Sequence, residues 1–478
     1  MSKGFASTDH RSESNCCHAS RTGVQRFIIT TPSLVHGIGN TAFSAASCQS
    51  PSNAWSFAHR IVFRFVFSFI VLALLPFPFG SGSFYETTLY QRMWFAAASW
   101  ICTHTLHLSP TPSVAVPYTL GDSIIGYVEL LCFVVLAALA TIAWMLVDRT
   151  RPNYHMLHEW LRIYARYALA FAMLGYGMDK VFALQFNWSL PGPGRLAEPL
   201  GNYSPMALLW TFMGYSKPYT IFTGVGEVIG GVLLFFRRTT TLGALIVCGM
   251  MANVVALNFS YDVGVKIFSS LLLFLAMFLL VPDLRRLMNV FVLNRPIPAA
   301  NLEGPVPKYW MRNTRIVLHT VLVVLSVYWL AGPSLQGPRE RGPRPKSPFY
   351  GLYQVEAFIE NGRPLELNDA NWRRVIFEGQ DEMTILTMDD SMLYYYAHVD
   401  IATNTVTISG ERDLDSNQQK ESLPKSVVAF SWPDPDHLEF RGNLTNQPVI
   451  INMRKVDTSK FTLVSRGFHL VQNRAFYR

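Results

Sequence analysis

Lys217–Phe236 reads KPYTIFTGVGEVIGGVLLFF, twenty residues with a single carboxylate near the middle and four glycines around it. As a helix this run is long enough to cross the roughly 30 Å hydrocarbon core of a bilayer. Glu227 lies ten residues from its outer end, about 15 Å deep at 1.5 Å per residue, which is the midplane. A carboxylate there costs about 2.5–3.5 kcal/mol on insertion scales, so it calls for a partner or a task. Thr223, Gly224, Gly230 and Gly231 share its face at helical spacing, which lets a second helix approach closely.

Six further runs of spanning length stand on either side, at 61–78, 122–146, 161–182, 239–258, 264–281 and 314–331. The whole composition agrees with them. Of 478 residues 50% are hydrophobic, and 40 basic plus 32 acidic residues make 72 charges, where an ordinary soluble chain would carry roughly 120. Mean hydropathy is +0.21. A plain cytosolic enzyme and a disordered chain are both excluded. A shorter aromatic-rich run at 91–107, RMWFAAASWICTHTLHL, is expected as an interfacial or re-entrant helix.

Basic residues mark one side. Arg60 and Arg64 stand at the head of the first run, and Arg149, Arg151 and Arg162 lie between the second and third. Arg237 and Arg238 separate the fourth from the fifth. Arg285, Arg286, Arg295, Lys308, Arg312 and Arg315 separate the sixth from the seventh. The alternate loops 79–121, 183–216 and 259–263 carry few basic residues, so the N-terminus is expected inside and the chain after the seventh span outside. The basic linker after the last span runs against this, and four other loops outvote it. The net charge of +8 therefore reads as membrane topology rather than nucleic-acid binding. Residues 1–55 are Ser/Thr-rich and lack the order of a secretory signal, and are expected as a disordered tail or the product of an upstream mis-assigned start. The six cysteines form no C-x-x-C pair, and none follows Cys248.

After a Pro/Arg-rich linker at 332–347 the pattern changes. Short alternating runs rich in Val, Ile, Tyr and Phe, from Tyr350–Ile359 to Phe461–Ser465, are separated by turns such as Glu360–Gly362, Pro433–Asp436 and Gly442–Asn443. Residues 348–478 are expected to form a small antiparallel β-barrel or sandwich on the outer side. The fold class is thus an α-helical polytopic membrane bundle of about seven spans, over 56–331, with a C-terminal β domain.

Several polar residues fall in the outer half of the spans. Lys180 is near the outer end of the third, one turn beyond Tyr176. Lys266 opens the sixth, with Ser269 and Ser270 on its face, while Asn253 and Glu129 lie about 7 and 9 Å from the outer ends of the fifth and second. With Glu227 they could form one polar pocket open to the outside. Snorkelling lysines plus a single structural Glu–Lys tie would explain the same residues. His104 and His107 are spaced i, i+3, as are His155 and His158 with Glu159 beside them; neither pair has an identifiable third metal ligand. No nucleotide-binding or standard hydrolase motif occurs.

Arg166–Leu169, Gly175–Tyr176–Gly177–Met178–Asp179–Lys180, Gly224–Val225–Gly226–Glu227–Val228–Ile229–Gly230–Gly231 and Thr239–Ala244 carry a resemblance. The stretch 160–290 resembles the DoxX family of small bacterial membrane proteins. That resemblance implies a four-helix membrane core in a bacterial inner membrane, and for some members quinone-linked redox chemistry. On that reading Glu227 accepts protons, Lys180 and Lys266 balance charge, Tyr176, Asn253 and Glu129 contact the substrate, and quinone is the candidate cofactor. Partners would be membrane lipids and a redox or envelope protein. The second expectation is a non-enzymatic carrier or assembly factor whose β domain captures a lipid or an envelope protein.

Overall fold

In a computed structural model of the chain, residues 54–75, 77, 89–108, 122–186, 192–297, 320, 324, 345–366, 368, 372–412, 419–420, 425–467 and 469 are described. Residues 1–53 of the expected tail over 1–55, nearly all of the seventh run and most of the linker lie outside them.

The membrane part consists of α1 (Phe57–Leu74), α2 (Leu89–His104), α3 (Ile124–Val147), α4 (His155–Val181), α5 (Pro193–Ala197), α6 (Pro205–Tyr215), α7 (Lys217–Phe235), α8 (Thr240–Ser260), α9 (Lys266–Leu280) and α10 (Leu284–Phe291). Six of the expected spans coincide with α1, α3, α4, α7, α8 and α9 to within a few residues. Among the described residues, five stretches are long and apolar enough to cross a membrane: α1, α3, α7, α8 and the continuous Lys266–Phe291. Helix α4, at 27 residues, has the length but carries Glu159, Arg162, Arg166, Asp179 and Lys180. Its place in the core accounts for them. Leu169, Met173 and Leu174 are buried together with Leu234 of α7 and Leu275 of α9, so much of α4 faces protein rather than lipid. Helix α2, 16 residues or about 24 Å long, packs Ala98 and Cys102 against Val128 of α3.

Serines begin several helices as their composition suggests: the hydroxyls of Ser56, Ser123 and Ser216 accept N–H bonds at the starts of α1, α3 and α7. Helix α9 has as its cap residue Val265, which has no such group. Its cap comes from far away in sequence. The Asp122 carboxylate accepts the Lys266 and Ile267 N–H groups at 2.7 and 2.9 Å.

The C-terminal part contains β1 (Lys346–Glu360), β2 (Arg363–Leu365), β3 (Arg374–Gly379), β4 (Glu382–Leu386), β5 (Met392–Asp400), β6 (Thr405–Arg412), β7 (Gln419–Lys420), β8 (Ser426–Asp434), β9 (His437–Leu444) and β10 (Gln447–Val456). Pairing runs β1–β3–β4–β5–β6–β8–β9–β10, and β10 returns to β1 with Leu352 opposite Val456 and Glu360 opposite Val449. The domain is therefore a closed eight-stranded antiparallel barrel, and β2 and β7 are short flanking strands. Closure leaves the main strands no open edge. Alternate residues point inward and fill the interior: Phe349, Tyr353, Phe377 and Phe440 are each at most 1% exposed.

Two sequence expectations need correction here. Phe461–Ser465 is not a strand, because the barrel is already closed without it; Thr462–Ser465 forms a short helix, α11. Gly442–Asn443 is not a turn but lies within β9, and the reversal falls at Thr445–Asn446, both at positive φ. Glycine is required at 442 by packing, since a Cβ there would stand 2.8 Å from the Val428 Cα.

Candidate functional site

The glycines around Glu227 bring two backbones into contact. A Cβ on Gly224 would lie 2.7 Å from both the Gly177 carbonyl oxygen and the Lys180 Cβ, and one on Gly177 would lie 2.7 Å from Val228 Cγ2. Lys180 and Glu227 each follow one of these glycines by three residues, so the helical repeat carries both side chains into the same seam. Lys180 Nζ donates to both Glu227 oxygens at 2.8 Å. The lysine side chain is 9% exposed and the glutamate 2%. The Tyr176 ring lies 5.8 Å from the ammonium and 6.0 Å from the Phe268 ring of α9. The expected Lys180–Glu227–Tyr176 grouping thus exists, at the junction of α4, α7 and α9. Chemically it is a closed pair. Removing either side chain's charge would leave the other buried and uncompensated, at a cost far above that of a surface charge.

The remaining predicted residues do not join it. Lys266 lies at the start of α9, 2.8 Å from Asp262 and 3.5 Å from Asp122. It helps to line a cavity of about 360 Å³ between α1, α3, α8 and α9, with Phe69, Leu130, Phe259 and Phe274 as apolar walls. Asn253 is on the exposed face of α8. The buried amide of that helix is Asn258, which donates to Ser269 Oγ at 3.0 Å. Glu129 is buried in α3, within electrostatic reach of Tyr90 of α2 and of Cys132 on its own helix. His104 stacks on Trp100 at 5.1 Å and is exposed, while His107 lies beyond the helix end at positive φ. Among the described residues no three His, Cys, Asp or Glu side chains converge in metal-binding geometry. His155 accepts a hydrogen bond from Trp55 Nε1 at 3.1 Å, and the His158 ring packs edge-on to Phe63 and Phe278, so this pair belongs to an aromatic box.

Two groupings were missed by sequence reasoning. Arg64, at 4% exposure, donates to the Tyr154 hydroxyl and to the Asp148 carbonyl at 2.7 Å, and Tyr154 donates to the Asp148 carboxylate at 3.0 Å. Its signal was an arginine inside an apolar run, obscured because arginines at span ends are common. The other is a cavity of about 430 Å³ at the opposite end of the bundle from Lys266, where α4 begins, α7 turns into α8 and α10 lies alongside. Neither this cavity nor the one beside Lys266 is lined by Lys180, Tyr176 or Glu227.

The loop between α4 and α6 rests on the barrel. Ala197 packs with Leu352, Ile376 and Leu386. The Gly194 N–H donates to Glu378 at 3.1 Å, and the Asn202 amide donates to the Asp390 carbonyl at 2.6 Å. Burial pushes the Glu378 carboxyl above its ordinary value, an effect the Gly194 bond partly opposes.

The fold and these sites define a class: a helical membrane protein that carries a side-chain-filled β-barrel. Over 126 residues, 26% of this chain and 79% of the relative, the chain is 37% identical to the uncharacterized protein YwoB of Bacillus subtilis (strain 168). Through that stretch the chain belongs to the family of YwoB. No family model matches the chain, and no solved structure matches it significantly.

Proposed function

We propose that the chain is a non-enzymatic carrier or assembly factor of a bacterial inner membrane, whose bundle holds the barrel outside the membrane to engage an envelope protein. The closed Lys180–Glu227 pair carries this reading: each group compensates the other, and the seam is sealed by backbone contact. The filled barrel core favours a partner on the barrel surface over a lipid in its lumen. Seven spans with the N-terminus inside fit the same scheme. Helix α10 ends at the arginine-rich end of the bundle, whereas the barrel rests on the loop beyond the opposite end, an arrangement that supports a further crossing between them.

The groove beside Lys266 favours a second reading, in which the DoxX-like stretch binds a quinone there with the ring near the ammonium and the tail along Phe69 and Phe274. Purification in native-lipid discs followed by quinone extraction separates the two. The first reading expects no quinone above that of the surrounding lipid. One quinone per chain, lost in Lys266→Met and retained in Glu227→Gln, would overturn it in favour of the second.

A further inference from the structure

The cavity at the arginine-rich end has a chemistry that neither reading uses. Five guanidinium groups line it, from Arg162, Arg166, Arg237, Arg238 and Arg286, against two carboxylates, Glu159 and Asp283, leaving a surplus of three positive charges. The acids are already engaged: Glu159 meets Arg162 at 3.3 Å and Arg237 at 3.5 Å, and Asp283 meets Arg286 at 3.1 Å and accepts the Thr241 hydroxyl at 2.6 Å. Arg238 is exposed and forms no ion pair among the described residues, where the Nε atoms of Arg162 and Arg286 are buried and have no hydrogen-bond partner. Arg166, 7% exposed, is held at 3.3 Å from the Thr240 hydroxyl at the back of the cavity.

Apolar side chains line it as well, Leu245, Leu279 and Phe291 among them. Helix α10 borders the cavity with exposed Leu284, Met288 and Phe291 beside Arg285 and Arg286, the pattern of a helix lying at headgroup level. Arginine forks match phosphate oxygens in geometry and charge, and apolar lining residues beside them suit an acyl chain.

We infer that this cavity binds a phosphate group, presented by an acidic phospholipid of the leaflet at the arginine-rich end. The test titrates the full chain in mild detergent with phosphatidylglycerol, with zwitterionic phosphatidylcholine and with inorganic phosphate, and counts bound molecules by native mass spectrometry. Phosphatidylglycerol is expected to be held at one copy per chain and to be displaced by inorganic phosphate at high concentration. Arg238→Gln/Arg286→Gln is expected to weaken it by roughly thirtyfold, with Arg285→Gln, on the same helix outside the cavity, unchanged. Phosphate that binds as tightly alone as the lipid does would assign the same site to a soluble phosphate. Phosphatidylcholine held as tightly as phosphatidylglycerol by the wild-type protein, or an equal loss in Arg285→Gln, would overturn the inference.

Discussion

Lys180→Met removes the ammonium from both Glu227 oxygens and leaves a carboxylate that is 2% exposed. A loss of about 3–5 kcal/mol is expected, measured by thermal unfolding in detergent, and Lys180→Met/Glu227→Leu is expected to recover most of it, because neither charge is then stranded. In the barrel, Tyr353 is 0% exposed and its hydroxyl has no partner among the described residues; burial pushes its pKa up to about 12. Tyr353→Phe removes that desolvated group and keeps the ring, so the melting temperature is expected to rise, by about 1–3 kcal/mol of stability. Glu227 and Lys180 were legible from sequence because a charge in an apolar run stands out whatever the helix orientation. Asn253 misled for the converse reason. Depth along the axis made it a candidate, but Asn258, five residues on, is turned about 140° further round the helix, and only packing decides which of the two faces inward.

The start of α9 shows what an element owes to its neighbours. Asp122→Ala deletes the acceptor for two N–H groups and is expected to cost about 0.5–2 kcal/mol, with faster amide exchange at Lys266 and Ile267 as the local readout. No sequence rule for caps would connect the two, since 144 residues separate Asp122 from Lys266. The strands were easier to read. Alternation and short apolar runs located the eight that close the barrel; β3 departs from strict alternation, with Val375, Ile376 and Phe377 all buried, because Ile376 packs outward against Ala197. Phe461–Ser465 has the same alternation without a partner strand, and pairing is a property of two segments.

At the scale of the molecule, the contact between the α4–α6 loop and the barrel makes a pH-dependent prediction. The Glu378 carboxyl is raised above 4.5 by burial, so its neutral form is favoured in the fold. Its contribution to stability is fully present below pH 4.5 and is lost as pH rises through the raised value. Glu378→Gln keeps an acceptor for Gly194 without titrating. The melting temperature of the wild-type protein relative to this variant is expected to fall across that window; a constant difference would separate Glu378 from the effect. Reporters fused after Arg478 and inserted in the 183–216 loop are expected to report the same side of the membrane. The amino-acid sequence by itself determined the class of the molecule, the positions of its apolar helices and the presence of a β domain, because hydropathy and alternation are local patterns that each segment carries alone. Tertiary structure decided that the domain is a closed barrel with a filled core, that Lys180 and Glu227 neutralise each other, and that five arginines from three separate segments gather around one cavity. Those outcomes depend on distances between residues far apart in the chain, and such distances arise only when the helices pack and the sheet closes.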